Sequence, residues 1–276
     1  MLLITKYLIM IIPQLQGSLD QANFFVYAAA DSVYFDAYGR ALINSVCRNT
    51  SFGVHLHLYN PSKAQIEFCQ QQPRVSVTWE NFQPGQFDSA IEFWNQENLP
   101  EPYLSRRNKM LGIKVVDKSL PQQENVRNWL YKTYYACARF VRLSQMLTAP
   151  TSLLCIDVDG LVRAPFVYEF NDGKDFYLHE KDKGGHLAGA VLTNTSSNSL
   201  RFIQQLGQEI EAEIVKDNIF WFLDQWILDR VVTQYNKGYL PMSYIDWHMQ
   251  PNSAIWSAKG KRKELEVFKR ELIRYQ

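Results

Sequence analysis

Two carboxylates, Asp157 and Asp159, stand one residue apart after the apolar run TSLLCI at 151–156, in the order Asp157-Val158-Asp159-Gly160. Regular pairing stops at a strand end, so both side chains can turn toward one hard cation there. Carboxylate oxygens suit Mg²⁺ or Mn²⁺, which in turn neutralise a diphosphate. Two turn-forming aspartates after a strand are also an ordinary structural arrangement, so the pair alone leaves both readings open. His55 and His57 share one face of GVHLHLY (53–59) by the strand period of two. With no carboxylate or cysteine beside them in sequence, they read as a polar outward face and not as a ligand pair. His179 is isolated. The chain has no Gly-x-Ser-x-Gly and no P-loop, so a nucleophile-elbow hydrolase and a P-loop kinase both lack their signatures.

The same acidic letters can serve another chemistry, in which the first aspartate of Asp-x-Asp-Gly attacks phosphorus as a nucleophile. Such haloacid-dehalogenase-type phosphatases need a later lysine and a downstream acidic pair. After residue 160 the chain has no Asp-Asp and no Gly-Asp-x-x-x-Asp. The motif also lies behind three strands that it should precede. A phosphatase is therefore a distant alternative.

The elements that would position the aspartates alternate. NFFVYAAA (23–30) reads as a strand and is followed by a helical pattern through Tyr38, Leu42 and Val46. GVHLHLY alternates and stops at Asn60-Pro61-Ser62, a turn with a helix N-cap; a helix over 63–72 and a strand RVSVTW (74–79) follow. This order predicts a parallel sheet with a nucleotide-type site at the strand C-termini. The prolines between 83 and 123 predict loops and short helices. A long helix is expected over 126–147, the strand at 151–156, and another strand at 188–193. Helices are expected at 197–215 and 219–232, then an extended stretch at 239–247 and a basic tail.

With 276 residues, 46% hydrophobic and 14% aromatic, the chain can fill a sizeable core, which excludes wholesale disorder. Basic and acidic residues, 29 and 28, nearly cancel, which argues against nucleic acid as a partner. Cys47, Cys69, Cys137 and Cys155 show no framework spacing and suit a reducing, cytoplasmic setting. No apolar run approaches the ~20 residues of a membrane span. Tyr7 to Pro13 (YLIMIIP) is apolar, but the run is short and no small-x-small cleavage site follows. It is expected to pack as an extra strand or helix and not to act as a signal peptide. The expected organisation is an extension over 1–22 and one domain over 23–276, with a nucleotide half to about 160 and a sugar or acceptor half beyond.

From about Phe24 to Lys263 an ordered series of short motifs resembles the GT-A-type glycosyltransferases, in particular the retaining family 8 group that includes glycogenin and bacterial lipopolysaccharide galactosyltransferases. Ala29-Ala30-Asp31 with Tyr34 resembles the family's first strand and loop, which implies that Asp31 binds uracil and Tyr34 stacks on it. Ala138-Arg139 resembles the Ala-Arg whose guanidinium contacts the donor. Asp157 and Asp159, with Val158 between them, take the place of the metal-binding Asp-x-Asp. Ala188-Gly189 resembles the sugar-pocket Asn-Ala-Gly, and Asp224-Gln225 the Asp-Gln pair beside the sugar. These residue types suit those roles. Tyr34 offers a face to a flat base, Arg139 can fork onto phosphate or sugar oxygens, and Gly189 admits close backbone approach. Lys259-Gly260-Lys261 is the candidate loop over the donor diphosphate, with Gly260 allowing close approach and either lysine reaching phosphate.

The resemblance implies a mixed, mostly parallel α/β sheet flanked by helices, a Rossmann-like nucleotide-diphospho-sugar transferase fold. It also implies transfer from a nucleotide-sugar donor, of the UDP-sugar class, with retention and with Mn²⁺ or Mg²⁺. The acceptor would be a carbohydrate or a lipid-linked molecule. Asp224, Gln225 and Arg139 are the catalytic candidates, and the basic tail is a candidate for weak contact with a membrane surface. Two departures stand out. Leu187 replaces the asparagine before Ala-Gly, leaving His186 as a substitute contact. The family's late histidine ligand has no counterpart, so Ser257, His248 or water is left to complete the metal site. These departures keep open a degenerate module that binds nucleotide sugar or glycan without turnover.

Overall fold

The computed structural model describes residues 11–20, 24–112, 117, 119–166, 172–181, 184–216 and 218–276. The strands are β1 (Gln16–Gly17), β2 (Phe24–Asp31), β3 (Gly53–Tyr59), β4 (Val75–Glu80), β5 (Ser152–Ile156) and β6 (Gly160–Val162). They continue with β7 (Phe176–Glu180), β8 (His186–Thr193), β9 (Lys237–Tyr239), β10 (Ile245–Asp246) and β11 (Ile255–Ser257). Among the described residues, eight strands form one sheet in the order β1-β4-β3-β2-β5-β8-β7-β9, and β10-β11-β6 form a second. The strands β4, β3, β2 and β5 run parallel, so Asp31, Tyr59, Glu80 and Asp157 all emerge at one edge. β8 runs antiparallel to β5, with Ala190 opposite Ile156, so Ala188-Gly189 at its start comes beside Asp157. In the second sheet β11 lies antiparallel to β6 and sets Ser257 opposite Gly160, next to Asp159.

Both faces of the large sheet are covered. Phe25 and Tyr27 pack with the long helix Gln122–Met146, behind which lies the helix Ser197–Val215. Val26 and Ala28, on the opposite face of the same strand, pack with Leu42 and Val46 of the helix Arg40–Asn49. The helix Lys63–Gln71 opens with the expected cap, a reciprocal box in which Ser62 and Gln65 satisfy each other's backbone N–H groups. The proline-rich stretch folds into the short helices Asp88–Asn95 and Tyr103–Leu111. Within the apolar N-terminal segment, Tyr7 to Met10 lie outside the described residues. Farther on, β1 pairs with β4 at the sheet edge and Pro13 lends its carbonyl to Arg142. Among the described residues no helix is long and apolar enough to cross a membrane.

Three expectations change. The helix expected from 219 begins at Leu223, because Phe222 adopts a left-handed backbone (φ 69°) that interrupts it. The extended stretch at 239–247 divides between β9 and β10, which belong to different sheets. His55 and His57 do not face outward. Both are fully buried, because a parallel strand covered on two faces has no solvent side. His55 bonds to Ser76 Oγ (2.7 Å) and Thr78 Oγ1 (3.0 Å); His57 bonds to Thr78 Oγ1 (3.0 Å) and lies 3.6 Å from Glu80.

Burial pushes the His55 imidazole down to about 3 and lowers His57 as well. An unfolded chain takes up these protons below pH 6.5 and the folded one does not, so stability is lost as pH falls below 6.5, for His55 by up to about 1.4 kcal/mol per unit down to about pH 3. Urea unfolding between pH 7 and 5 should show this slope, shallower in His55→Gln. Equal slopes would mean that His55 protonates within the fold.

Candidate active site

The shared strand edge opens into a cleft of ≈ 320 Å³. Its floor is the end of β2 (Ala29, Ala30, Asp31), with Tyr34 on the turn that follows, and Asp157-Val158-Asp159 beyond β5. Lys132, Tyr135, Ala136 and Arg139 form one wall, and Trp221, Lys259, Gly260 and Lys263 the others. Asp31 Oδ1 accepts the Tyr34 N–H (2.8 Å) and thereby caps the turn that projects Tyr34.

Arg139 ties three elements together. Its guanidinium donates to Asp157 Oδ1 (2.5 Å), to the Ala188 carbonyl (2.9 Å) and to Asp224 Oδ2 (3.2 Å). The end of β5, the start of β8 and the helix Leu223–Val231 are thus held around one buried cation. Asp224 Oδ1 accepts from the Gln225 N–H (2.9 Å). Burial works against ionising Asp157, but Arg139, Lys259 and Lys263 together outweigh it and hold that carboxyl below its ordinary value. For Asp224 burial wins, and its carboxyl is raised despite Arg139. Gly189 lies against the same group, where a Cβ would come 2.6 Å from Asp157 Oδ2. Glycine is required there because the carboxylate occupies the space of any side chain.

Asp159 sits differently. Lys263 reaches its Oδ2 at 2.7 Å, while Oδ1 is buried with no hydrogen-bond partner among the described residues. Burial and the neighbouring Asp157 push the Asp159 carboxyl up to about 6, against the opposing pull of Lys263. Ser257 Oγ, on the adjacent strand, is likewise buried and unpartnered among the described residues. Among those residues no group of three or more His, Cys, Asp or Glu gathers to hold a metal ion. The donor set on the cleft is instead the two carboxylates of Asp157 and Asp159, all hard oxygens. It suits Mg²⁺ or Mn²⁺ in the manner of sites that bind through one or two carboxylates, water and substrate phosphate.

No family model matches the sequence, and no curated protein matches it. Among the solved structures similar in fold are three at TM-score 0.53 and 14% identity. One is the bifunctional glycosyltransferase WbbM without ligand, where the match covers 93% of this chain and 50% of that one. Another is the glycosyltransferase GlyE of Streptococcus pneumoniae TIGR4, at 90% and 60%. The third is the galactosyltransferase LgtC in complex with donor and acceptor sugar analogues, at 91% and 95%. The chain therefore spans half to three fifths of the first two. It has the GT-A glycosyltransferase fold.

Within this GT-A fold the residues singled out from sequence fall into two groups. Ala29, Asp31, Tyr34, Arg139, Asp157, Val158, Asp159, Lys259 and Gly260 line the cleft. Ala188, Gly189 and Asp224 stand just behind it, in contact with Arg139 or Asp157. Lys261 is exposed and does not line the cleft; Lys263 does. Residues Gly260–Glu264 form a 3-10 turn, in which positions three apart eclipse, so Lys263 aligns with Gly260 and Lys261 projects elsewhere. Gln225 also lies outside the lining, its Oε1 accepting from Lys181 Nζ at 3.4 Å. His186 is no substitute for the missing asparagine: it is buried between Asp229 (2.8 Å) and Lys237 (2.9 Å). His248 is exposed and off the cleft, and Ser257, fully buried opposite Gly160, does not line it either. Lys132, Tyr135 and Ala136 were not singled out from the sequence. They share one face of the long helix with Arg139, at the helical spacing i, i+3, i+4 and i+7, and that periodicity was the available signal.

Proposed function

We propose that this protein is a metal-dependent glycosyltransferase that moves a sugar from a UDP-sugar to a glycan or another acceptor, with retention. The observation that carries the reading is the order of groups along one cleft. Tyr34, on the turn after β2, shares Lys263 with Asp159; Asp157 stands two residues from Asp159; and Arg139 joins Asp157 to Asp224 just behind the cleft. That order matches the sequence of base, diphosphate and sugar in a nucleotide-sugar. The LgtC complex with donor and acceptor analogues supports a donor and an acceptor in the same fold.

In this reading Tyr34 stacks on the base and Asp31 accepts from its N–H. Asp157 and Asp159, with water completing the site, would hold Mn²⁺ or Mg²⁺, which supplies charge neutralisation to the diphosphate when bound. Lys259 and Lys263 line the same cleft, Lys263 in contact with Asp159, and stabilise negative charge growing on the leaving group. Burial lowers the Lys259 amine from its ordinary value despite three nearby carboxylates, so a phosphate is a favourable partner for it. Asp224, fixed by Arg139, orients the sugar end, with Gln225 next to it on the same helix.

The test is calorimetric titration with UDP and with uridine, with and without Mn²⁺, followed by detection of UDP released from UDP-sugars. Absence of Mn²⁺-dependent UDP binding overturns the reading. Binding without release of UDP from any UDP-sugar leaves the non-catalytic binding module instead. In the same assay Tyr34→Ala should weaken uridine and UDP by a similar factor, about tenfold, since base–aromatic stacking is worth ~1–3 kcal/mol. A loss confined to UDP-sugar would place Tyr34 away from the base.

A further inference from the structure

One ammonium covers two places that the donor complex needs. Lys263 Nζ lies 2.7 Å from Asp159 Oδ2, 4.4 Å from the centre of the Tyr34 ring and 3.2 Å from the Tyr34 hydroxyl. It also stands 5.2 Å from the Tyr38 ring, and its side chain is only 15% exposed. It therefore holds both the carboxylate expected to bind a metal and the aromatic face expected to bind a base. Around the cleft four cations, Lys132, Arg139, Lys259 and Lys263, accompany four carboxylates, Asp31, Asp157, Asp159 and, just behind, Asp224. The ligand-free site is balanced in charge. A divalent cation entering alone meets Lys263 already on its ligand, and a diphosphate entering alone meets the carboxylates.

We infer that Lys263 is a displaceable counter-ion that makes metal and nucleotide enter together. On joint binding its ammonium leaves Asp159 and the Tyr34 face for the diphosphate. Its place on Asp159 passes to the metal and its place on Tyr34 to the base. No bond is made or broken and total charge is conserved, so the exchange needs only a 3-10 turn able to shift. Gly260, which opens that turn at φ +59° with no atom within 4 Å of where a Cβ would be, gives it room. This inference rests on the function proposed above and adds the order in which its ligands bind.

The experiment is equilibrium binding to the full chain and to Lys263→Met, using Mn²⁺ alone, uridine alone, and UDP with Mn²⁺. Metal is read by the paramagnetic signal of free Mn²⁺ and nucleotide by calorimetry. A displaced counter-ion predicts opposite signs. Lys263→Met should bind Mn²⁺ alone and uridine alone more tightly than the parent, and UDP with Mn²⁺ more weakly, each by about tenfold, as expected for one charged hydrogen bond. A lysine that only grips phosphate would lower UDP affinity and leave Mn²⁺ and uridine unchanged. A structural lysine would weaken all three. Either result overturns the exchange. Lys263→Arg, which keeps the charge, should restore the parental order. If the parent itself fails to bind UDP with Mn²⁺, the functional reading falls and the exchange falls with it. If the parent binds and Lys263→Met gains nothing for Mn²⁺ or uridine, only the exchange is lost.

Discussion

Replacing Arg139 with methionine should lower the unfolding free energy by about 3–5 kcal/mol, the usual cost of leaving buried charges without their partner. The side chain is 8% exposed, and it neutralises Asp157 and Asp224 while satisfying the Ala188 carbonyl. Methionine matches much of its length but donates nothing. Two carboxylates and a carbonyl would then lose their donor inside the protein. Urea denaturation at pH 7.5 measures the loss. Adding Asp224→Asn to Arg139→Met should recover part of it, because one unpaired charge is removed. Loss of stability in Arg139→Met below about 1 kcal/mol would mean that water reaches the carboxylates and that Arg139 is no structural hub. Turnover should fall further than stability explains, since the same guanidinium positions Asp224.

Asp159→Asn should abolish Mn²⁺-dependent UDP binding while the fold persists. Asparagine keeps the shape of the turn after β5 and loses the charge. Losing an outer-shell partner of a metal ligand typically costs 10–100-fold in affinity, so loss of a direct ligand should exceed about 10²-fold. The fold should hold because the Asp159 carboxyl is disfavoured where it stands: its proton affinity is raised to about 6 by burial and by Asp157. For the same reason, metal-dependent UDP affinity of the parent should fall as pH drops through about 6, when the carboxyl takes up a proton and no longer serves as a ligand. Asp157→Asn should show a different balance, losing binding and also some stability, because its charge is matched to Arg139 at 2.5 Å. UDP affinity unchanged in Asp159→Asn, or flat between pH 7.5 and 5.5, would remove Asp159 from the metal site.

Much of this site is local and therefore legible in order along the chain. An apolar run that ends in Asp157-Val158-Asp159 must release both carboxylates at a sheet edge, and the alternation of strands and helices before it sets the strand ends side by side. Gly189 belongs to the same class, since its lack of a Cβ announces a close approach, and the structure shows the Asp157 carboxylate filling that space. The helix carrying Arg139 also announces a second wall by its period, in Lys132, Tyr135 and Ala136.

Other features depend on which surfaces meet, and periodicity within one element carries no information about its partner. The alternation in GVHLHLY gives His55 and His57 a common face, yet whether that face meets water or a helix is decided by the layer laid over it. Ser257 gains a place beside Asp159 only because β11 pairs with β6 across nearly a hundred residues of sequence. Lys263 rather than Lys261 faces Asp159 because the tail enters as a 3-10 turn with three residues per turn, which aligns position 263 with Gly260. The local sequence contains both lysines, one and three residues after the glycine. The choice between them is made by the turn's pitch and by the carboxylate it meets, an attraction that exists only once the tail is folded against the turn after β5.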